Sequence, residues 1–146
     1  MIAVIDYDTG NLRSVANALG RLGAEYKITA DTKEIRSADR VLLPGVGEAS
    51  TAMQKLRERG LVEVIRSLTQ PVLGICIGVQ LLCRRSEEGK AECIGIFDNE
   101  VKKFRTHELK IPHMGWNSIE QLKSPLFDGI DEGSYVYYVH SFAPTV

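Results

Sequence analysis

One cysteine in this sequence stands between two apolar segments, in the stretch PVLGICIGVQLLC at residues 71–83. Gly74 and Gly78 flank Cys76 at a distance of two residues, giving G-x-C-x-G, the cysteine analogue of the G-x-S-x-G nucleophile elbow. A sharp strand-to-helix turn strains the nucleophile's backbone and leaves no room for flanking side chains, so glycine is favoured there. The start of a helix also stabilises a thiolate. We therefore predict that Cys76 is a nucleophile, although a cysteine chosen at random is more often a core residue.

The other two cysteines, Cys83 and Cys93, lack such a turn, and we predict that both are buried core residues, with Cys83 in a helix. Three cysteines without C-x-x-C spacing argue against a disulfide framework or a zinc ribbon and favour a reducing compartment. We expect the protein in the cytoplasm. The start MIAVID has no basic segment or long apolar segment of a signal peptide, so we expect neither export nor membrane insertion.

A second strand-to-helix crossing, LLPGVGEASTAM, contains Pro44, Gly45, Val46 and Gly47. Such a loop can turn its backbone N–H groups toward a neighbouring strand end, as an oxyanion beside Cys76 would require. A dinucleotide-binding interpretation is weak, because Ser50 occupies the place of the third glycine.

Two further groups of residues could in principle carry other chemistry, but their sequence patterns fit it poorly. The aspartates of DYDTGN, residues 6–11, could form a magnesium-dependent phosphotransfer site, but Thr9 precedes Gly10 in the wrong order, and a turn with Asn11 as a helix N-cap is favoured. The three histidines show no metal-ligand spacing, so we expect no metal and no cofactor. We expect Trp116 in a partly exposed loop.

The elements that would position these residues alternate between strand and helix in the first half of the chain. Apolar runs predict strands at 2–5, 41–43 and 72–75. Helical spacing predicts helices from about Asn11 to Leu22, from Ala49 to Leu56, from Leu61 to Leu68, and from Cys76 to about Arg84. This alternation indicates an α/β fold with a mostly parallel central sheet flanked by helices.

From about Cys93 onward the sequence favours further strands, in NEVKKF, KIPHMGWNSI and SYVYYVHSF, some of them antiparallel. The charged stretch at 84–92 is interpreted as a solvated loop. We predict one domain over residues 1–146.

The composition and charge of the chain indicate which classes of ligand it is suited to bind. The 146 residues are 44% hydrophobic and carry 18 basic and 19 acidic residues, for a net charge of −1. That balance gives no electrostatic reason to expect nucleic acid or an anionic membrane surface, and small neutral substrates are favoured.

Taken together, LPGVG, GICIGVQ, IPHMGWN and YYVHSF resemble the class I glutamine amidotransferases in order and approximate spacing. IPHMGWN and the opening IDYDTGNLRSV resemble more specifically the glutaminase subunits of imidazole glycerol phosphate synthase, from histidine biosynthesis. The resemblance spans nearly the whole chain and implies a flavodoxin-like amidotransferase fold.

The resemblance also implies a role for particular residues. Cys76 matches the nucleophile that attacks the glutamine side-chain amide and forms a thioester, releasing ammonia. The backbone N–H groups of Val46 or Gly47 and of Ile77 match the oxyanion donors. The positions that the resemblance implies for binding glutamine are Gln80, His140, Ser141 and Phe142. The positions that it implies for contact with a cyclase subunit, which receives the ammonia within a heterodimer, are Asn11, Trp116 and Asn117.

The sequence departs from the family in one respect. The nucleophile's histidine and glutamate partners belong to an HPE-like segment, which is absent from these 146 residues. Because positioned acid–base catalysis contributes about 100- to 10,000-fold, we expect little glutaminase turnover from this chain alone. We also expect an open sheet edge and exposed apolar surface.

The sequence is also compatible with two other functions. The chain could be a non-catalytic module that docks on the cyclase, or a cysteine-elbow protein of the DJ-1 type, in which a nearby carboxylate tunes the thiol. Gln80 and the PHMGWN segment argue against the DJ-1 type.

Overall fold

The computed structural model describes residues 1–145 and divides the chain into two compact units. The first unit takes in Met1–Lys102 and residues 144–145, and the second takes in Lys103–Ala143. The single-domain organisation stays a prediction.

A parallel four-stranded sheet forms the centre of the first unit, as the apolar runs predicted. Its strand order is β2-β1-β3-β4, and each neighbouring pair is parallel. Ala3, Val4 and Ile5 are fully buried, which accounts for the unbroken apolar run of the first strand. The strands are β1 (Ile2–Ile5), β2 (Tyr26–Thr29), β3 (Arg40–Leu43) and β4 (Val72–Gly74).

Within residues 1–145, five α-helices connect and cover these strands. The helical stripes predicted from Ala49 to Leu56 and from Leu61 onward are buried against the sheet and supply much of the core. A helix is also found between β2 and β3, where the sequence analysis predicted none. The helices are α1 (Leu12–Arg21), α2 (Thr32–Ser37), α3 (Ala49–Glu58), α4 (Leu61–Arg66) and α5 (Ile77–Leu82).

Side-chain caps define the starts of the first two helices. The side-chain oxygen of Asn11 accepts a hydrogen bond from the Ser14 N–H at 3.2 Å, so the predicted N-cap of α1 is confirmed. Asp31 caps α2 and accepts from the N–H groups of Lys33 at 2.7 Å and Glu34 at 3.1 Å.

The prediction that the helix after Cys76 runs to about Arg84 is wrong, because α5 ends at Leu82 and Cys83 is extended. The reason is tertiary: the segment 94–97 packs on the end of α5, and its N–H groups donate to the carbonyls of residues 81–83, which no N–H of the helix itself reaches. Cys83 therefore lies just after the helix.

The charged stretch at 84–92 is not a solvated loop. It forms β5 (Arg85–Ser86), a 3₁₀ turn (Glu88–Lys90) and β6 (Ala91–Glu92), with Ser86 and Ala91 buried. These strands join β7 (Glu100–Lys103) in a second sheet of order β10-β7-β5-β6, where β10 is Phe142–Pro144. Alternating small or apolar residues inside a charged segment were the signal of strand structure.

The second unit is built around an antiparallel ribbon of β8 (His113–Ser118) and β9 (Tyr135–His140). His113 lies opposite His140, and Trp116 lies opposite Tyr137. This confirms the expected antiparallel strands. Trp116 is on a strand and not in a loop, and 68% of it is exposed. No helix among the described residues is long and apolar enough to cross a membrane.

Candidate active site

Cys76 occupies the turn between β4 and α5, and its side chain is exposed. Its backbone angles are φ 56° and ψ −121°, a left-handed conformation that costs a residue with a side chain about 1–3 kcal/mol. Such strain is found where the surrounding structure fixes a group for function. The thiol is thus held outward at the carboxyl end of a parallel sheet, as the G-x-C-x-G pattern predicted.

The two flanking glycines are required by close backbone contacts. A Cβ on Gly78 would lie 1.8 Å from the Leu43 carbonyl oxygen, and a Cβ on Gly74 would lie 2.5 Å from the Cα and N atoms of Val79. Neither glycine has a positive φ, so the requirement is steric and not conformational. Helix α5 therefore packs directly on the ends of β3 and β4, which fixes the bend at Cys76.

The loop after β3 lies beside this bend because β3 and β4 are neighbours in register. Leu43 pairs with Gly74, and the Ile75 N–H donates to the Leu43 carbonyl at 3.0 Å. The next loop residues are Pro44 and Gly45, and a Cβ on Gly45 would lie 3.2 Å from the backbone nitrogen of Gly78. The loop thus contacts the first turn of α5.

The candidate oxyanion donors lie in these two neighbouring segments. Gly47 has a φ of 92°, and Val46 is exposed. Ile77 is the first residue of α5, where a backbone N–H has no partner within its own helix. Within residues 1–145, the N–H groups of Val46, Gly47 and Ile77 make no hydrogen bond. They are therefore available to a ligand, and their role as donors stays a prediction.

A buried tyrosine that the sequence analysis overlooked supports the same loop. Tyr7 follows β1, the strand beside β3, and its hydroxyl donates a hydrogen bond of 2.8 Å to the Pro44 carbonyl. Burial raises the pKa of Tyr7; the Thr9 side chain partly offsets this, and the charge of the nearby Cys76 thiolate adds to it. The signal in the sequence was an aromatic residue at the carboxyl end of a buried strand.

The DYDTGN segment is a turn, as predicted, and an ion pair fixes it to α3. Asp8 has a φ of 63° and pairs with the Arg59 guanidinium, which lowers the pKa of the Asp8 carboxyl. Lys55 donates to the Asp8 carbonyl at 3.0 Å. The aspartates thus serve the turn, and Asn11 lies at its end as the helix cap.

The other two thiols are poor candidates for chemistry. Cys83 and Cys93 are buried, as predicted. Burial raises the pKa of Cys83, and burial together with neighbouring Cys83 raises the pKa of Cys93 to about 11, despite the opposing charge of Arg57. A thiol with a raised pKa is almost entirely protonated at neutral pH, and only the thiolate is nucleophilic.

The predicted glutamine-binding residues are divided between the two units. Gln80 is a buried residue of α5 in the first unit. His140, Ser141 and Phe142 belong to the second unit, where the His140 Nδ1 lies 3.1 Å from the Phe142 carbonyl oxygen and the Phe104 N–H donates to the Ser141 carbonyl. The imidazole at the end of β9 is therefore held by the backbone at the start of β10.

The predicted partner-facing residues include two on the β8–β9 ribbon. The side chains of Trp116 and Tyr137 meet edge to face with ring centres 5.5 Å apart. Asn117 is also exposed, on the opposite side of the same strand. On the Trp116 side the ribbon exposes Met114, Trp116, Tyr135, Tyr137 and Val139. Five large exposed apolar or aromatic side chains on one ribbon face are typical of a protein–protein contact surface.

Comparison with known proteins adds evidence independent of this geometry. The family model for glutamine amidotransferase class-I matches residues 3–145. The imidazole glycerol phosphate synthase subunit HisH of Bacteroides fragilis is 56% identical over 143 residues, covering 97% of this chain and 73% of that protein. HisH of Idiomarina loihiensis is 49% identical, covering 99% of this chain and 74% of that protein.

Solved structures support the fold. A crystal structure of a glutamine amidotransferase superposes with a TM-score of 0.72 at 18% identity, covering 97% of this chain and 72% of the other. The crystal structure of a putative GMP synthase component from Thermoplasma acidophilum gives a TM-score of 0.68 at 22% identity, covering 98% of this chain and 65% of the other. The predicted α/β class is confirmed.

Proposed function

Because the chain belongs to the class-I glutamine amidotransferase family, and within it to the HisH subunits of imidazole glycerol phosphate synthase, we propose that Cys76 is the nucleophile that releases ammonia from glutamine. The protein is a glutamine amidotransferase subunit of histidine biosynthesis. The residues that carry the reaction, the route of the ammonia and the partner are parts of the proposal.

The proposed reaction has two stages. The Cys76 thiolate attacks the side-chain amide carbon of glutamine and forms a tetrahedral oxyanion. The C–N bond then breaks, the nitrogen takes up a proton and leaves as ammonia, and a thioester remains. Water then adds to the thioester and the C–S bond breaks, which releases glutamate and restores the free thiol.

The observation that carries this proposal is the exposed thiol on a strained turn, with backbone N–H groups in both adjoining segments that are unpaired within residues 1–145. In each stage the developing oxyanion would accept hydrogen bonds from Ile77 and from Val46 or Gly47. One preorganised donor of this kind is worth about 3–4 kcal/mol of activation free energy.

The proposed substrate and partner contacts follow from the family. Gln80 and the segment His140–Phe142 would hold the glutamine. Asn11, Trp116 and Asn117 would face the cyclase subunit, and the exposed aromatic face of the ribbon supports such a contact. The cyclase would receive the ammonia and use it to make imidazole glycerol phosphate and an aminoimidazole carboxamide ribonucleotide. Three free thiols are in keeping with a reducing cytoplasm, where we place the protein.

We expect a polypeptide of these 146 residues by itself to turn over glutamine slowly. It contains no HPE-like segment, and the departing nitrogen needs a proton that a positioned acid would otherwise supply. Ammonia release should therefore be at least about 100-fold slower than for a full-length relative assayed in parallel. Turnover equal to the relative's would mean that a base within these residues had been overlooked.

Selective labelling tests the nucleophile separately. A glutamine-analogue electrophile should modify Cys76, glutamine should slow the modification, and Cys83 and Cys93 serve as buried internal controls in the same mass spectrum. A Cys76→Ser variant should remain unlabelled. Labelling of Cys76 at a rate that glutamine does not change would contradict the proposed function.

A non-catalytic docking module is the second candidate, favoured by the exposed aromatic face of the ribbon. Binding to the cyclase without glutamine-protected labelling would select it. Membership of the amidotransferase family argues against the DJ-1-type alternative.

A further inference from the structure

The side chain of Tyr7 is fully buried beneath the loop that holds the candidate oxyanion donors. Its hydroxyl donates to the Pro44 carbonyl at 2.8 Å, and this hydrogen bond is itself buried. A buried carbonyl without a partner costs about 1–3 kcal/mol, so this hydrogen bond strongly favours one orientation of the Pro44–Gly45 peptide.

Gly45 lies close to both the Tyr7 hydroxyl and the first turn of α5. A Cβ added at Gly45 would lie 2.5 Å from the Tyr7 hydroxyl oxygen and 3.2 Å from the backbone nitrogen of Gly78. The hydroxyl and the helix start therefore lie on the same side of Gly45, the side on which a side chain would project. The hydroxyl thus fills the space beside the loop at the point where the loop meets α5.

We infer that Tyr7 is a positioning residue that sets the orientation of the Pro44–Gly47 loop relative to Cys76. It thereby also orients the N–H groups of Val46 and Gly47, and this inference rests on the proposed function. Tyr7 does not touch the reacting atoms in this scheme. It acts by fixing the peptide that precedes the donors, while Leu43 on the other side of Pro44 is fixed by the sheet.

Burial raises the pKa of Tyr7, the Thr9 side chain partly offsets this, and the charge of the nearby Cys76 thiolate adds to it, so the hydroxyl is protonated and able to donate at neutral pH. A thiolate at Cys76 therefore favours the protonated tyrosine, which is the form that holds the loop.

Tyr7→Phe tests this role because it removes the hydroxyl and keeps the ring in the core. The assay uses an activated γ-ester of glutamate, such as the p-nitrophenyl ester, whose leaving group departs without a proton. Attack by Cys76 then gives one burst of p-nitrophenolate and a thioester, a step that needs the oxyanion donors but no general acid. Iodoacetamide provides the comparison, because displacement at its saturated carbon creates no oxyanion.

We expect the burst in Tyr7→Phe to be roughly 10- to 100-fold slower, approaching the loss of one donor, with the iodoacetamide rate at Cys76 unchanged. The matched control is Tyr26→Phe, which removes a hydroxyl in β2 that makes no hydrogen bond within residues 1–145. It should leave both rates unchanged. Equal burst rates in Tyr7→Phe and the unmutated chain would overturn the inference, as would an equal slowing of both reagents.

A spectroscopic measurement separates this inference from the proposed function. In Tyr7→Phe the NMR order parameters of the Val46 and Gly47 amides should fall from the rigid value of about 0.85 toward about 0.6. The order parameter of the Ile77 amide should stay high. If the unmutated chain gives no burst, the proposed nucleophile fails, and the order parameters still decide the role of Tyr7. Unchanged order parameters and chemical shifts at Val46 and Gly47 would refute it.

Discussion

Replacement of Gly78 by alanine should break the elbow, although it adds a single methyl group to a helix. In an exposed helix the same change stabilises by about 0.5–1 kcal/mol, because alanine has the higher helix propensity. At Gly78 the new Cβ would lie 1.8 Å from the Leu43 carbonyl oxygen, where real contacts are no shorter than 3.0 Å. Helix α5 and β3 must therefore separate by about 1.2 Å.

That displacement has two consequences. Overpacking of a tight core costs about 1–3 kcal/mol, and here a methyl group attached directly to the helix backbone meets a backbone carbonyl, so neither can rotate away and we expect the upper end of that range. A loss of about 3 kcal/mol lowers the melting temperature of a domain of this size by roughly 6–12 °C. Because a shift of about 1 Å at a reacting group can cost 100-fold in rate, the γ-ester burst at Cys76 should slow by a similar factor.

Gly20→Ala is the matched control. Gly20 lies in α1, is exposed, and has no atom within 4 Å of an added Cβ. Thermal unfolding followed by circular dichroism should show a melting temperature equal to or slightly above that of the unmutated chain, with an unchanged burst. If Gly78→Ala melted within about 1 °C of the unmutated chain and kept its burst, the steric explanation of the G-x-C-x-G pattern would be wrong.

Three further changes test the caps and the proposed partner surface. Asn11→Ala should cost about 1 kcal/mol in the free energy of unfolding, and Asn17→Ala, in the exposed middle of the same helix, should cost nothing measurable in urea titrations. Hydrogen bonds from the backbone N–H groups of Glu34 and Lys33 lower the pKa of Asp31 in the folded state. Its carboxylate therefore stabilises the fold at pH values above its unfolded-state pKa of 3.8, and this stabilisation is lost as the pH falls through the lower folded-state pKa. Asp31→Asn should reduce the loss of stability on acidification, measured as the free energy of unfolding against pH. Trp116→Ala should weaken binding to the cyclase subunit by roughly 30-fold or more in calorimetry, whereas Leu22→Ala, at a similarly exposed position, should not.

The sequence was most informative where local chemistry and periodicity agree. The strand β1, the cap at Asn11 and the glycines around Cys76 were each predicted from a short sequence pattern, and each prediction is confirmed, although the atom that excludes a side chain at Gly78 is the Leu43 carbonyl oxygen of another strand. The elbow was predictable because a nucleophile at a strand-to-helix turn leaves a spacing pattern that few other structures produce.

Other features depend on contacts that no single segment reveals. Helix α5 stops at Leu82 because a segment about twelve residues later supplies N–H groups to its last carbonyls. The strands in the charged stretch 84–92 are two residues long and are held by neighbours such as β7, so their own sequence carries little signal. Tyr7 was overlooked because its partner, Pro44, is 37 residues away in sequence.

The burial of Cys83 and Cys93 has a consequence for damage by peroxide. Oxidation follows thiolate character and exposure, so Cys76 should be the first of the three to become a sulfenic acid. A second thiol normally rescues that state by forming a disulfide, but the other two sulfurs are enclosed in the core and protonated. Repair of an oxidised Cys76 would therefore fall to an external reductant such as glutathione, and without one the sulfur would proceed to the irreversible sulfinic acid.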